Sequence, residues 1–222
     1  MIKLVLATPA YRRLVDVEHV VQGIALRMAC LGDPRFEFHG FSFADSYSLD
    51  WSRNRLLHGA LLARADWLLV VDADTHHRAA TDVLRMIGDG DKLGAAVIAA
   101  PVRSRGRATM FNARERRGND YHPIDLAQLQ GKVSEVDAIG TAFMAIHCGW
   151  FRRFWPEQPW FVTRHLPGPE PRILSEDLAF CEGVKDRGGR VMCDGRFIPV
   201  HVGAESAGEP GIVVDVPLAP NP

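Results

Sequence analysis

Two carboxylates, one residue apart, follow the most hydrophobic stretch of the sequence. The run Trp67–Val71 leads directly into Asp72-Ala-Asp74. Residues i and i+2 point the same way while a chain stays extended, so both side chains are expected on one side of a strand end. Oxygen-rich sites of this kind suit Mg²⁺ or Mn²⁺, and such an ion can bridge to the phosphates of a nucleotide. The simpler alternative is that one Asp caps the next helix while the other is solvated.

A second acidic motif, Ser175-Glu-Asp177, lies far along the chain before a helical pattern. Ser175 is a candidate N-cap, and Glu176 and Asp177 fall in the first helical turn, where the helix dipole favours anions. A purely helix-stabilising role is the alternative. His201 follows the apolar residues Ile198 and Val200. A structural role is common for such a histidine, but together with the Asp72/Asp74 pair it is a candidate third metal ligand.

Two other interpretations of the first motif are open. Asp72-Ala-Asp-Thr75 also fits the phosphatase pattern DxDxT, in which Asp72 would be the nucleophile. That nucleophile belongs on the first strand, whereas this motif ends the third. Gly88-Asp-Gly-Asp91 resembles the later acidic motif of those phosphatases, but we predict a helix C-cap and turn there. Adjacent histidines tend to point apart, so we expect His76 and His77 to be exposed loop residues rather than a metal-binding pair.

The elements that position these residues alternate between strand and helix. Apolar runs predict strands over residues 2–7, 36–41, 67–71, 95–100, 136–146, 190–193 and 197–202. Helical spacing of apolar residues predicts helices over residues 16–31, 50–64, 81–87, 149–154 and 175–187. The alternation predicts a mostly parallel α/β sheet with helices on both faces, and the later strands are candidates for antiparallel pairing. Ligands of such sheets bind beyond the carboxyl ends of the strands, where Asp72 and Asp74 lie.

The composition and net charge limit which classes of function are expected. The chain has 222 residues, 47% hydrophobic and 24% charged, as in ordinary soluble globular proteins. A formal net charge of −1 gives no global attraction to nucleic acid or anionic membrane. The first residues lack the features of a signal peptide, and no apolar run reaches the ~20 residues of a membrane span, so we expect a cytoplasmic protein. The scattered cysteines lack CxxC spacing and are predicted to be buried free thiols: Cys30, Cys148, Cys181 and Cys193.

Five segments, taken in order, resemble a nucleotide-sugar-dependent glycosyltransferase of the GT-A fold, most similar to the large family-2-like group. The matching segments are KLVLATPAY, WLLVVDADTHH, AIGTAFMAIHCGWFRRF, SEDLAFCEGVKDRGGRV and GRFIPVHVG. The resemblance implies a single Rossmann-like GT-A domain over residues 1–203, with a mostly parallel central sheet flanked by helices. The Gly-, Pro- and Ala-rich residues 204–222 are expected to form a loosely ordered tail.

The resemblance also implies roles for individual residues. Asp74, assisted by Asp72, would hold Mn²⁺ or Mg²⁺ against the donor diphosphate, with His201 as the third ligand. Asp177 would be the general base that deprotonates the acceptor hydroxyl, and Glu176 would contact acceptor or donor sugar. The implied nucleotide-sugar contacts are Thr8, Pro9, Tyr11, Asp45, Arg53, Asn54, Asp72 and Ala73. Arg55 is an alternative to its neighbours, because one helical turn cannot direct all three side chains inward.

The implied reaction is hexosyl transfer, with a UDP-sugar as the favoured donor. A divalent ion offsets the charge on the leaving nucleoside diphosphate. A single carboxylate base is all that an inverting mechanism requires, so we expect inversion. The competing classes are a phosphatase using Asp72, a nucleotidyltransferase, and a non-catalytic nucleotide-binding module. A nucleotidyltransferase usually has a Gly-rich loop after its first strand, and ATPAYRR lacks those glycines.

Residues 102–123 are predicted to form a long loop that is rich in arginine. Three interpretations of this loop are open: it is solvated, it forms a flap over the donor phosphates, or it contacts a polyanionic acceptor. In the last case Phe111 and Tyr121 would stack on bases. Saccharides, proteins and a hydroxymethylated DNA base are the candidate acceptors, and some compact GT-A enzymes of phages glycosylate such bases. The loop arginines are Arg103, Arg105, Arg107, Arg114, Arg116 and Arg117.

Overall fold

Alternating strands and helices form the body of the protein. The computed structural model describes residues 1–10, 14–45, 48–103, 111–166, 172–202 and 213–215. The strands are β1 Ile2–Pro9, β2 Leu14–Asp16, β3 Phe36–Ala44, β4 Trp67–Val71, β5 Thr75–His76, β6 Val97–Ala99, β7 Ala113–Arg117, β8 Asp120–Pro123, β9 Val133–Glu135, β10 Ala138–Ile139, β11 Phe143–His147, β12 Arg164–Leu166, β13 Arg172–Leu174, β14 Val191–Asp194, β15 Val200–His201 and β16 Val213–Asp215. The helices are α1 Val17–Gly32, α2 Leu49–Leu62, α3 Ala80–Lys92, α4 Leu126–Leu129, α5 Cys148–Phe154 and α6 Glu176–Asp186.

The central sheet has seven strands in the order β3-β1-β4-β11-β6-β14-β9. β1 pairs in parallel with both β3 and β4, and β14 pairs in parallel with β6. β11 and β9 run against their neighbours. Five of the seven strands therefore share one direction, which confirms the predicted mostly parallel α/β sheet and the antiparallel pairing of some later strands.

Helices cover both faces of this sheet. Leu69 of β4 packs in one apolar cluster with Leu26 of α1 and Val83 of α3. Leu68 of the same strand packs in a second cluster that includes Phe180 of α6 and residues of α2 and α5. All five residues of β4 are buried, as their uninterrupted apolar run predicts. This strand is a rigid support for the acidic residues that follow it.

Several predicted boundaries are wrong for tertiary reasons. α3 continues through Gly88–Asp91 to Lys92, so this acidic motif is not a C-cap and turn. A Cβ on Gly90 would lie 2.7 Å from Cγ2 of Ile98, and the glycine therefore lets the helix approach β6 closely. The strand predicted over 136–146 is divided into β10 and β11. The predicted loop 102–123 contains the antiparallel pair β7–β8 in its second half.

The remaining parts of the fold are small. The strand predicted over 197–202 shortens to β15, which pairs with β5. Of the expected loose tail, the described residues Val213–Asp215 pair with β2, and the others lie outside the described residues.

The four cysteines are free and buried, as predicted, and burial raises the thiol pKa of Cys148, Cys181 and Cys193 to about 12. Within the described ranges, no helix has both the length and the apolar character to cross a membrane.

Candidate functional site

The chain turns immediately after β4. The Thr75 amide donates a hydrogen bond to the Asp72 carbonyl at 2.9 Å, while the Asp72 amide donates to the carbonyl of Ala142 at 3.0 Å. Asp72, Ala73 and Asp74 therefore lie in a turn at the carboxyl end of the most buried strand. Because the chain is not extended here, the rule that residues i and i+2 point the same way does not apply. The two carboxylates have different partners.

Asp74 lies beside His201. The pairing of β15 with β5 places His201 opposite Thr75, and the Val202 amide donates to the Asp74 carbonyl at 2.8 Å. Nε2 of His201 is 3.6 Å from Oδ1 of Asp74. Nδ1 of the same ring is 3.0 Å from the carbonyl oxygen of Arg103. A carbonyl only accepts, so Nδ1 carries a proton, and Nε2 is the ring nitrogen that faces Asp74.

This pair has the chemistry of a partial metal site. Metal-bound histidines generally donate their second ring N–H to a carbonyl or carboxylate, as His201 does to Arg103. Adjacent ligands of an octahedral Mg²⁺ lie about 3 Å apart. Since the Asp74 and His201 atoms are 3.6 Å apart, the two side chains would have to move closer to share one ion. Among the described residues, however, no group of three His, Cys, Asp or Glu side chains forms a metal-binding cluster. The expected set of Asp72, Asp74 and His201 is therefore not assembled as one cluster.

Asp72 instead faces Arg53 of α2. The Arg53 guanidinium forms an ion pair with Oε1 of Glu176 and contacts Oδ1 of Asp72 at 3.4 Å. The Arg53 side chain is only 4% exposed, so it has little surface left for a ligand. Its contact with a nucleotide stays a prediction, and the side chain occupies an internal position between the two acidic motifs. One arginine thus joins α2, the end of β4 and the start of α6.

The neighbours of Arg53 face different surroundings. The side-chain amide nitrogen of Asn54 donates to the carbonyls of Asp50 and Phe161, and its oxygen accepts from the amides of Trp160 and Phe161. These four bonds hold residues 160–161 against α2 and leave the amide committed to backbone groups, not to a nucleotide. Arg55 is exposed, with its guanidinium 5.2 Å from the ring centre of Trp51. The three consecutive side chains therefore do diverge, as helical geometry requires.

The residues expected to contact the nucleoside are spread between surface and interior. Thr8 is 1% exposed, and its hydroxyl hydrogen-bonds Nε2 of His19 at 2.7 Å. Pro9 is buried, and Tyr11 lies outside the described residues. Asp45, which follows β3, lines an open groove of about 730 Å³ beside the half-exposed Trp51. Of the described residues in this set, Thr8 and Pro9 are buried in β1, whereas Asp45, which follows β3, lines the open groove.

Asp177 lies at the start of α6. Ser175 occupies the predicted N-cap position, but its hydroxyl donates to Oδ1 of Asp177 instead of capping the helix. The Leu178 amide donates to the same oxygen at 2.8 Å. Oδ2 lies next to Gly140, where an added Cβ would be 3.2 Å away. No described residue donates a hydrogen bond to Oδ2, so this oxygen is available to accept a proton.

Sequence reasoning missed a buried histidine cluster beneath the site. His76 and His77 are both buried, so the expectation of exposed loop residues is wrong. The His76 ring lies 6.4 Å from that of His19, which in turn bonds Thr8. Burial lowers the pKa of His77, whose amide donates to the side chain of Gln22. Packing of α1 against β5 causes this burial, and nothing in the local sequence indicates it.

The arginine-rich segment is partly committed to internal contacts. Arg103 lies 5.9 Å from the ring centre of Phe111, and Arg105 and Arg107 lie outside the described residues. Phe111 is 3% exposed, so its ring is not placed for the stacking on a base that the polyanionic-acceptor interpretation requires. Tyr121 is partly buried, and burial raises its pKa to about 12. The other segment arginines also have partners: Arg114 with the Phe111 carbonyl, Arg116 with Glu182, and Arg117 with Glu115.

Comparisons with known proteins identify a fold. No protein-family model matches the chain, and no curated protein matches its sequence. The protein A197 from STIV is similar at 13% identity and a TM-score of 0.55, over 87% of this chain and 81% of that one. A UDP-glucose pyrophosphorylase complexed with UDP-glucose is similar at 13% identity and a TM-score of 0.51, over 93% and 94% of the two chains. Likeness at this identity shows the fold alone, and it is consistent with the expected Rossmann-like architecture.

Proposed function

We propose that this protein is a metal-dependent glycosyltransferase that moves a sugar from a nucleoside-diphosphate sugar, with UDP-sugars as the expected donors, to an acceptor hydroxyl. The observation that carries the proposal is the approach of Asp74 to His201 at 3.6 Å, beyond the carboxyl end of β4. In open α/β sheets this edge is where ligands bind. The fold shared with a UDP-glucose pyrophosphorylase complexed with UDP-glucose also supports a nucleotide-sugar donor.

Mn²⁺ or Mg²⁺ would be held by Oδ1 of Asp74 and Nε2 of His201. Mg²⁺ sites commonly use one or two carboxylates together with substrate phosphates and water, so two protein ligands suit a site that is completed by a diphosphate. When bound, the ion would offset the negative charge that develops on the leaving nucleoside diphosphate. Asp72 supports this arrangement from its pair with Arg53 rather than as a ligand.

Asp177 is the proposed general base. Its Oδ1 is held by the Ser175 hydroxyl and the Leu178 amide, which fixes the orientation of Oδ2. Oδ2 would take the proton of the acceptor hydroxyl as the hydroxyl oxygen bonds to the anomeric carbon and the diphosphate departs. A single general base activates the acceptor for in-line attack on the side of the anomeric carbon opposite the leaving diphosphate, and such an attack inverts the configuration. Glu176, held by Arg53, would shape the sugar-binding side of the same helix start.

The second candidate is a nucleotidyltransferase, favoured by the likeness to UDP-glucose pyrophosphorylase. The two reactions break different bonds of the same donor. A glycosyltransferase releases UDP from UDP-glucose, whereas a pyrophosphorylase consumes pyrophosphate and releases UTP and glucose 1-phosphate. The absence of glycines from ATPAYRR, which includes the last residues of β1 and the residues that follow it, disfavours the second reaction.

The products distinguish these reactions. The protein would be incubated with UDP-glucose and Mn²⁺, with and without pyrophosphate, and the released nucleotides would be separated. We expect slow release of UDP even with water as the acceptor, independent of pyrophosphate, and loss of this release in Asp177→Asn. Asp186→Asn, the same change at an exposed position at the end of α6, is the matched control. UTP formed only with pyrophosphate would refute glycosyl transfer in favour of the second candidate.

A further inference from the structure

A basic cleft of about 480 Å³ opens beside His201. Its walls come from the segment after β14, from residues 130–131 and from the start of α3. Among the described residues that line it, three arginines face a single carboxylate, Asp82. The arginines are Arg78, Arg103 and Arg196. Arg196 is already paired with two carboxylates, Asp194 and Asp89, so the positive charge that the cleft offers an anion comes mainly from Arg78.

Arg196 is fixed in the wall of this cleft. Its Nε and Nη2 each donate to a carboxylate oxygen of Asp194 at 2.7 Å, and Nη2 also lies 2.8 Å from Asp89. Asp194 is fully buried, so the pair anchors the guanidinium to the core. No described residue accepts a hydrogen bond from Nη1. A guanidinium held in this way offers a pre-positioned donor to an anion, because no side-chain freedom is lost on binding.

Arg78 supplies positive charge to the cleft, and Arg103 is a second arginine in its lining. Arg78 is exposed and takes part in none of the ion pairs among the described residues. Asp82 is already paired with Arg85 at 2.9 Å, so it does not neutralise Arg78. Arg103 lines the cleft, and its backbone carbonyl accepts the hydrogen bond from Nδ1 of His201. An anion in the cleft would therefore sit directly beside the proposed metal ligand.

We propose that this cleft binds a phosphate group of the acceptor, so that the enzyme glycosylates a phosphorylated molecule. The assignment to the acceptor rests on the proposed function. Arginine forks match phosphate geometry well, and clefts with one sign of charge concentrate ligands of the opposite sign. Phe197, Ile198 and Pro199 also line this cleft, and the first two are partly exposed, which suits the less polar part of such an acceptor. The donor diphosphate has the same chemistry, so the test must separate the two sources.

The test uses inorganic phosphate as the probe. Its dissociation constant would be measured by calorimetry at low ionic strength, for protein alone and for protein saturated with UDP and Mn²⁺. We expect phosphate to bind in both cases, and Arg78→Glu to weaken that binding about tenfold or more, because one charge-assisted contact is lost and a like charge is introduced. Arg78→Lys should recover part of the affinity. Arg27→Glu, the same charge change on an exposed face of α1, should leave phosphate binding unchanged.

The outcomes separate the two proposals. Displacement of phosphate by UDP and Mn²⁺ would mean that the cleft holds the donor diphosphate, which overturns the acceptor assignment. If the wild type and Arg78→Glu bind phosphate with equal affinity, and the protein binds UDP, the proposed phosphate site in the cleft is refuted. The proposed glycosyl transfer is then unaffected. Arg78-dependent phosphate binding in a protein that never binds UDP with Mn²⁺ would refute the proposed glycosyl transfer and, with it, the acceptor assignment.

Discussion

Removal of Arg53 should destabilise the protein because it leaves two carboxylates without their shared cation. Arg53→Met keeps most of the side-chain length and removes the charge. Breaking a buried pair by deleting one partner costs about 3–5 kcal/mol. Glu176 and Asp72 retain 16% and 26% exposure, so water offsets part of the loss and we expect the lower end, about 3 kcal/mol. Urea unfolding followed by circular dichroism measures this free energy directly.

The neighbouring residue provides the control for this experiment. Arg55→Met makes the same chemical change on the exposed side of α2 and should alter the unfolding free energy by less than about 0.5 kcal/mol. Glu176→Gln, combined with Arg53→Met, should restore part of the lost stability, because one uncompensated charge is removed. If Arg53→Met unfolds with the wild-type free energy, Arg53 does not join the two acidic motifs in the way described.

Three further predictions concern the protonation of His77, the space around two glycines and the accessibility of the cysteine thiols. Burial lowers the pKa of His77, so the unfolded state takes up its proton first as pH falls. The thermal midpoint should therefore fall from pH 7.5 to pH 5.5, less steeply in His77→Gln; equal slopes would contradict this. Gly140→Ala places a Cβ 2.9 Å from Nδ2 of Asn112 and 3.2 Å from Oδ2 of Asp177 and should reduce turnover. Gly59→Ala, with open space around it, should leave turnover unchanged and add about 0.5–1 kcal/mol of stability. The buried thiols should react with Ellman's reagent only when urea unfolds the chain, and rapid labelling of the native protein would contradict their burial: Cys30, Cys148, Cys181 and Cys193.

Local patterns were sufficient to predict most of the sheet. The apolar run of β4 reports burial directly, because burial on both faces determines which residues a strand can carry. The apolar spacing in α1 predicts the helix but not its buried side, since Val21, Ile24 and Met28 are about half exposed or more. The end of α3 was not predictable in this way. Gly88 and Gly90 have the composition of a helix stop, yet α3 continues because Gly90 packs closely on Ile98 of β6. That contact is tertiary and has no local sequence pattern.

The sequence predicted that Asp74 and His201 lie together, but it did not predict the partners of the other candidate residues. The positions of Asp74 and His201 follow from their places after β4 and near the end of the last apolar segment. The role of Arg53 did not follow, since its ion pair joins residues 123 positions apart in the chain. The separation of Asp72 from Asp74 arises from one turn hydrogen bond after β4. The burial of His76 likewise depends on α1, far away in sequence.

Metal-dependent nucleotide binding tests the central claim most directly. Calorimetry would measure the affinity for UDP with and without Mn²⁺ in the wild type, Asp74→Asn, His201→Asn and the control Asp186→Asn. We expect Mn²⁺ to strengthen UDP binding in the wild type and in Asp186→Asn, and to have little effect once Asp74 or His201 is replaced. UDP binding that responds to Mn²⁺ equally in all four proteins would show that Asp74 and His201 do not hold the ion. No UDP binding in the wild type would contradict the proposed glycosyl transfer itself.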